Sequence, residues 1–210
     1  MAGSHHPLDE QARNRAALAR RLGFGEVVRV RQVHGREAIR VKAQTEPWPV
    51  ADAQWTSERG VLLGVAAADC VPILVADPSG PIGVAHAGWQ GTSLRVAEAL
   101  VEAMVQGGAQ RGSLVAALGP SIGPCCYTID EERAAVIRER IGEASLRRAG
   151  GTPALDLWHA NATQLGDAGV STVEVAGICT RSGGADLWSY RARGADGVYG
   201  TQLGFLGRRR

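Results

Sequence analysis

Gly64–Thr92 reads GVAAADCVPILVADPSGPIGVAHAGWQGT. Two nearly continuous apolar runs, Val61 to Ala67 and Val71 to Ala76, have the composition of strands buried on both faces. Asp77, Pro78, Ser79 and Gly80 carry turn chemistry, and Ile82 to Ala85 predicts the next strand. A thiol, Cys70, interrupts the first two runs, and an imidazole, His86, closes the third. Thr92 to Gln106 follows as a helix, with Leu94, Ala97, Val101 and Met104 in one stripe and Gly107 and Gly108 beyond its end. Alternation of strand and helix predicts an α/β protein. Several successive strands have no room for a crossover helix, so the sheet must be mixed.

Upstream, Asp9 to Leu22 predicts a helix with Asp9 as N-cap, stopped by Gly23 and Gly25. Val27 to His34 alternates as a strand, Gly35 breaks it, and Ala38 to Val41 resumes. Thr45 to Val50 holds two prolines around Trp48 and reads as loop, while Ala51 to Thr56 leads to a turn at Gly60. Downstream, Leu114 to Leu118 is a short strand, and Gly119 to Tyr127, GPSIGPCCY, is a loop. Asp130 to Ile141 and Leu155 to Ala168 predict helices, and Val173 to Cys179 and Leu187 to Tyr190 closing strands.

The chain has 210 residues, is 45% hydrophobic and carries a net charge of +2, which suits a single domain over 1–210 with a sizeable core. That charge is too mild to argue for nucleic acid, and the terminal Arg208, Arg209 and Arg210 read as a solvated end. No apolar run reaches ~18 residues, so no membrane span is expected. The opening MAGSHHPLDE has no apolar core of a signal peptide, and His5 and His6 are set aside as a tag-like pair. Four cysteines in an ordinary composition suit reduced thiols in a cytoplasm.

A lone cysteine is commonly a small buried apolar residue, and a lone histidine a hydrogen-bonded one. Asp69 weakens that reading for Cys70, because an acid inside an apolar run needs a partner or a site edge. His34, in RQVHG, is the third candidate. It precedes Cys70 by 36 positions and His86 follows by 16, a spacing that is not diagnostic alone. Together, two imidazoles and a thiolate match a catalytic zinc site with one position open to water, whose pKa the metal lowers. The same donors suit copper, and without metal a Cys–His pair serves as nucleophile and base. Five histidines, two of them in the tag-like pair, with Met1 and Met104, are too few ligands for several coppers in one chain.

Weaker features surround this trio. Gly91 and Thr92 open a helix whose N–H groups suit a phosphate, although an ordinary helix start is the preferred reading. Asp52 either orients a site group or caps a turn. Arg191 and Arg193 are able to hold an anion but more often such arginines are solvated. Adjacent Cys125 and Cys126, like Cys179, read as reduced and structural, since a bond between neighbours is strained.

QVHG (Gln32 to Gly35), ADCVPILVAD (Ala68 to Asp77), HAGWQGT (His86 to Thr92), LGPSIGPCCY (Leu118 to Tyr127) and LDLWHAN (Leu155 to Asn161) resemble the laccase-domain family. This family was long called multicopper polyphenol oxidase, and its bacterial members are mostly described as purine nucleoside phosphorylases. The resemblance runs from about Asn14 to the end and implies a four-layer α/β/β/α fold of mixed sheets, similar to cytotoxic necrotizing factor. It implies a zinc-binding trio of His34, Cys70 and His86, and it points to Gln32, Asp69, Gln90, Ser121 and Arg191 around the substrate. Implied activities are phosphorolysis of adenosine, inosine and methylthioadenosine and deamination of adenosine, with purine nucleoside and phosphate as partners. Copper-dependent phenol oxidation and a Cys–His amide hydrolase editing peptidoglycan precursors are the alternatives. A monomer or small homo-oligomer is expected. The family usually has Arg where this chain has Gln90, and often Glu where it has Thr128, so charge is lost near the pocket. A strand and a Gly-Gly segment that usually precede the first helix are expected to be missing.

Overall fold

The computed structural model describes residues 8–184, 186–195 and 197–210, with side chains from Glu10 onward. His5 and His6 lie outside the described residues. In chain order the elements are α1 (Leu8–Leu22), β1 (Val27–Val28), β2 (Ala38–Arg40), β3 (Ala53–Thr56), β4 (Leu62–Ala67), β5 (Val71–Ala76) and β6 (Ile82–Ala87). Then come α2 (Trp89–Ser93), α3 (Val96–Gln106), β7 (Val115–Leu118), α4 (Glu131–Arg140), β8 (Leu146–Ala149) and β9 (Thr152–Leu155). The last are α5 (Leu157–Asp167), β10 (Thr172–Val175) and β11 (Gln202–Gly207).

Six strands form one mixed sheet in the order β10-β7-β5-β6-β3-β2, and β1-β4-β11 form a second. The apolar runs of the central stretch become β4, β5 and β6, and β5 and β6 pair antiparallel across the turn at Asp77 to Gly80. Asp77 fixes that turn by accepting the backbone N–H groups of Ser79 and Gln110. Three apolar seams separate the layers. Ala19, Phe24, Val27 and Leu62 join α1 to the smaller sheet. Val28, Leu63, Val65, Ile82 and Val84 fill the space between the sheets. Val71, Ile73, Leu100, Met104, Leu118, Ile137, Leu157 and Leu165 seal the larger sheet against α3, α4 and α5. The order is therefore α/β/β/α, a mixed α/β fold as expected. Each fully buried large side chain contributes roughly 1.5–3 kcal/mol, so the third seam dominates.

Several elements differ from the sequence reading, and hydrogen bonding explains most of them. Val27 to His34 is a strand only over Val27–Val28, with an isolated bridge from Arg31 to Val50. Beyond it the Gln32 side chain stands in for a paired strand: its Nε2 donates to Ala66 O at 2.7 Å and its Oε1 accepts Ala66 N–H at 3.0 Å. Leu187 to Tyr190 is likewise not a strand, because the Gln202 amide accepts Trp188 N–H and donates to Trp188 O. Thr92 to Gln106 is two helices, broken where Arg95 adopts φ +63° and pairs with Glu98. Val173 to Cys179 ends as a strand at Val175, before Gly177 turns at φ +64°. Leu155 belongs to β9, so α5 starts at Leu157 with Asp156 capping His159 N–H at 3.0 Å. Asp9 lies inside α1 rather than before it.

Candidate metal centre

His86 ends β6 and Cys70 immediately precedes β5. Because Val71 faces Ala87 and Pro72 faces His86 in the antiparallel register, the two side chains leave neighbouring strands at one end of the sheet. The ends of strands in α/β sheets are where ligand groups gather. His34 arrives from the loop after β1, in a left-handed conformation (φ +62°) that costs a non-glycine residue roughly 1 kcal/mol. The cost is met by Asp52, whose carboxylate accepts the N–H groups of Val33 (3.0 Å), His34 (2.9 Å) and Gly35 (2.7 Å). Asp52 thus both caps the turn and orients a site group: its Oδ1 lies 2.9 Å from His86 Nδ1.

The outcome is a convergent trio. One ligand atom from each of His34, Cys70 and His86 lies within 4.8 Å of the others. Cys70 Sγ is 3.9 Å from His34 Nε2, and the imidazoles meet edge to face with centroids 4.7 Å apart. His86 is buried, Cys70 half-buried and His34 exposed, so the cluster opens to solvent on one side. Gly88 forms its floor. A Cβ there would stand 2.7 Å from Cys70 Sγ and 3.1 Å from His34 Cδ2.

Burial alone pushes the Cys70 thiol up, but the charge of His86 and hydrogen bonding from both imidazoles bring it down to about 6. Burial lowers His86, and the Cys70 charge together with the Asp52 carboxylate raises it to about 9. Without an ion each group therefore favours the charged form of the other, thiolate beside imidazolium. The donor set also fits a metal. Three N/S ligands face one point, and a carboxylate on His86 Nδ1 leaves Nε2 free, the arrangement that orients metal-binding histidines.

The other expected site residues take different places. Asp69, at φ +85°, is buried beside Cys70 and ties two distant segments to it. Its carboxylate accepts the Thr180 hydroxyl at 2.6 Å and the Arg191 N–H at 2.7 Å. The Arg191 guanidinium donates to Thr128 O at 3.1 Å and lies 5.1 Å above the Tyr127 ring. Burial, reinforced by the Cys70 charge, pushes the Tyr127 phenol up to about 12, so it stays a neutral donor. Gln32 spends its amide on Ala66, as described above. Ser121 is fully buried, accepting Trp158 Nε1–H at 2.5 Å and bridging to Cys179 through its backbone. Gln90 is exposed in α2.

The expected helix start at Gly91 and Thr92 is not one. The helix begins at Trp89 after Gly88, and Thr92 is buried. The Asn161 and Gln164 amides hold its hydroxyl and its carbonyl. Gly88, Tyr127 and Thr180 were not singled out by the sequence; the HAGW and CCY motifs and the Cys179-Thr180 pair were the available signals.

The sequence profile of the family described as multi-copper polyphenol oxidoreductase laccase matches residues 5–209. The chain belongs to this family. A relative from Deinococcus radiodurans named purine nucleoside phosphorylase is 44% identical over 184 residues, covering 86% of this chain and 71% of that protein. The crystal structure of YlmD from Geobacillus stearothermophilus matches all of this chain and 84% of its own, with TM-score 0.87 and 34% identity. The crystal structure of Bacillus licheniformis hypothetical protein YfiH gives 0.88 and 27% over all of this chain and 85% of that one. These matches carry the laccase-domain fold over the described elements. Within it, no helix among the described residues is long and apolar enough to cross a membrane.

Proposed function

We propose that this laccase-domain protein is a zinc-dependent enzyme of purine nucleosides, cleaving adenosine, inosine or methylthioadenosine with phosphate and deaminating adenosine. The observation that carries the reading is the convergence of His34, Cys70 and His86 with Asp52 behind His86. Relatives named purine nucleoside phosphorylase support the substrate class.

In this reading Cys70 Sγ and one imidazole nitrogen each from His34 and His86 hold the ion. A zinc bound there supplies Lewis acidity and acidifies a coordinated water toward neutral pH. Asp52 keeps the proton on His86 Nδ1 and fixes the ring, so Nε2 faces Cys70 without adjustment. The open side at His34 admits a substrate. Arg191 spends one N–H on Thr128 O and keeps others for an anionic oxygen, which suits phosphate. Tyr127, held neutral, offers a hydroxyl proton under that guanidinium. Four free cysteines suit a reducing compartment, and we place the protein in the cytoplasm.

The metal-free charge state favours a second reading. A thiolate at Cys70 beside a protonated His86 is the resting pair of a cysteine hydrolase, which would fit amide cleavage in cell-wall precursors. Metal analysis of parent and Cys70→Ser proteins, with adenosine and phosphate assayed in the same preparations, separates the readings. A single zinc equivalent lost in the variant, together with release of adenine or inosine only by the parent, is the expected result. Zinc bound with no adenine or inosine formed from adenosine, no hypoxanthine from inosine and no adenine from methylthioadenosine overturns the nucleoside reading. Copper retained in place of zinc, with turnover of a phenol dye, moves the site to oxidase chemistry.

A further inference from the structure

The loop Gly119 to Tyr127 and the segment after β10 meet at the Ser121–Cys179 bridge, and three sulfurs meet with them. The Sγ atoms of Cys125, Cys126 and Cys179 all lie within 4.8 Å of one another, the only other such group of metal-binding side chains among the described residues. Cys125 and Cys126 are 3.6 Å apart, and neither is bonded to another cysteine. Three sulfurs around one ion at the usual metal–sulfur length of about 2.3 Å stand roughly 4 Å from each other. The 3.6 Å pair and the 4.8 Å limit on the other two separations bracket that value, so small side-chain adjustments bring the three sulfurs onto one ion.

The inner sulfur is the one whose surroundings suit a thiolate, while burial pushes the Cys125 thiol up. Cys179 Sγ accepts the Gly123 N–H at 3.3 Å, a bond that favours the charged sulfur. The Ser182 hydroxyl lies 3.7 Å from Cys125 Sγ, where it is able to complete a fourth position. Burial is graded from Cys179 inside, through half-buried Cys126, to exposed Cys125, which leaves an entry path. A tight turn holds the inner ligand: Gly183 N–H donates to Cys179 O at 2.7 Å, and a Cβ on Gly183 would meet that oxygen at 2.4 Å. A disulfide uses the cluster less well. The adjacent pair would be strained, and any other bond leaves one thiol over.

We infer that Cys125, Cys126 and Cys179 form a second metal site, taking one thiophilic d10 cation, zinc or cuprous copper. The ion bridges the two segments whose inner ends, Ile122 N–H on Asp69 O and Thr180 Oγ1 on the Asp69 carboxylate, brace Cys70 from behind. Soft thiolate ligands select such ions over magnesium or calcium.

The test uses the full-length Cys70→Ser protein, fully reduced, so that the His34–His86 cluster lacks its thiol. Titration with Cd2+, a spectroscopic stand-in for zinc, gives a sulfur-to-metal charge-transfer band. It saturates at one equivalent with the intensity of three thiolates. Melting temperature rises with added ion, because the ion binds only the assembled site. Adding Cys125→Ser and Cys126→Ser removes the band and weakens ion retention against a chelator roughly hundredfold or more, with an unchanged far-ultraviolet circular dichroism spectrum. Parallel anaerobic titrations with Zn2+ and Cu+ show which is retained. Absence of the band, its persistence after both serine substitutions, or loss of two hydrogens by mass with no ion bound, overturns the site.

Discussion

Asp52 Oδ1 lies 2.9 Å from His86 Nδ1, while the same carboxylate holds the backbone N–H groups of Val33, His34 and Gly35. One buried side chain therefore places both imidazoles of the candidate centre, one through its ring and one through its backbone. Asp52→Asn keeps the shape but puts an amide where a carboxylate accepts four donors. Metal retention against a chelator should weaken about 10–100-fold. Equal retention in parent and variant would show that Asp52 does not act through His86.

Acid titration tests the same group by its sign. Burial pushes the Asp52 carboxyl up, but hydrogen bonds from His86, Gly35 and Val33 hold it below the usual carboxylate range. A depressed folded pKa means that the unfolded chain takes the proton first. Its contribution to stability is present above the unfolded value near 3.9 and lost as pH falls through the lower folded value. The gap in urea midpoint between parent and Asp52→Asn should be open at neutral pH and narrow below pH 4. A constant gap would contradict this.

Cys70 in chelator-treated protein should react with iodoacetamide as a thiolate with a midpoint near pH 6. His86→Asn removes the charge that lowers it, and the midpoint should move toward the ordinary thiol value of about 8.5. Peptide mapping of the alkylated product distinguishes Cys70 from exposed Cys125.

Gly88→Ala places a methyl 2.7 Å from Cys70 Sγ. The sulfur can rotate away cheaply, so the fold should lose only about 1 kcal/mol. The trio, however, loses its geometry, and nucleoside turnover should fall at least tenfold with metal content reduced. Retained turnover would place the reacting atoms elsewhere.

The central strands were legible because a continuous apolar run has one stable use, a place inside a sheet. His34, Cys70 and His86 were legible as chemistry-bearing residues at the ends of such runs. Their meeting was not, since it depends on the register of β5 against β6 and on the turn at His34. Asp52 was legible only as one of two roles, and it performs both. β8, β9 and β11 escaped because short, glycine-bearing or charged strands such as QLGFLG show no clear alternation. The extent of β1 was overstated because nothing in the sequence says that a glutamine amide will replace a backbone partner.

That replacement reaches beyond the site. β1 covers only Leu62 and Leu63 of β4, and the next residues of this apolar strand would present a bare row of peptide groups on that side. Gln54 Nε2 instead occupies Gly64 O at 2.9 Å, and the Gln32 amide occupies both polar groups of Ala66. An uncovered edge of this composition is a template for pairing with another chain and for aggregation. Two glutamine side chains close it, so the segment that brings Cys70 into place is also kept from recruiting a stranger's strand.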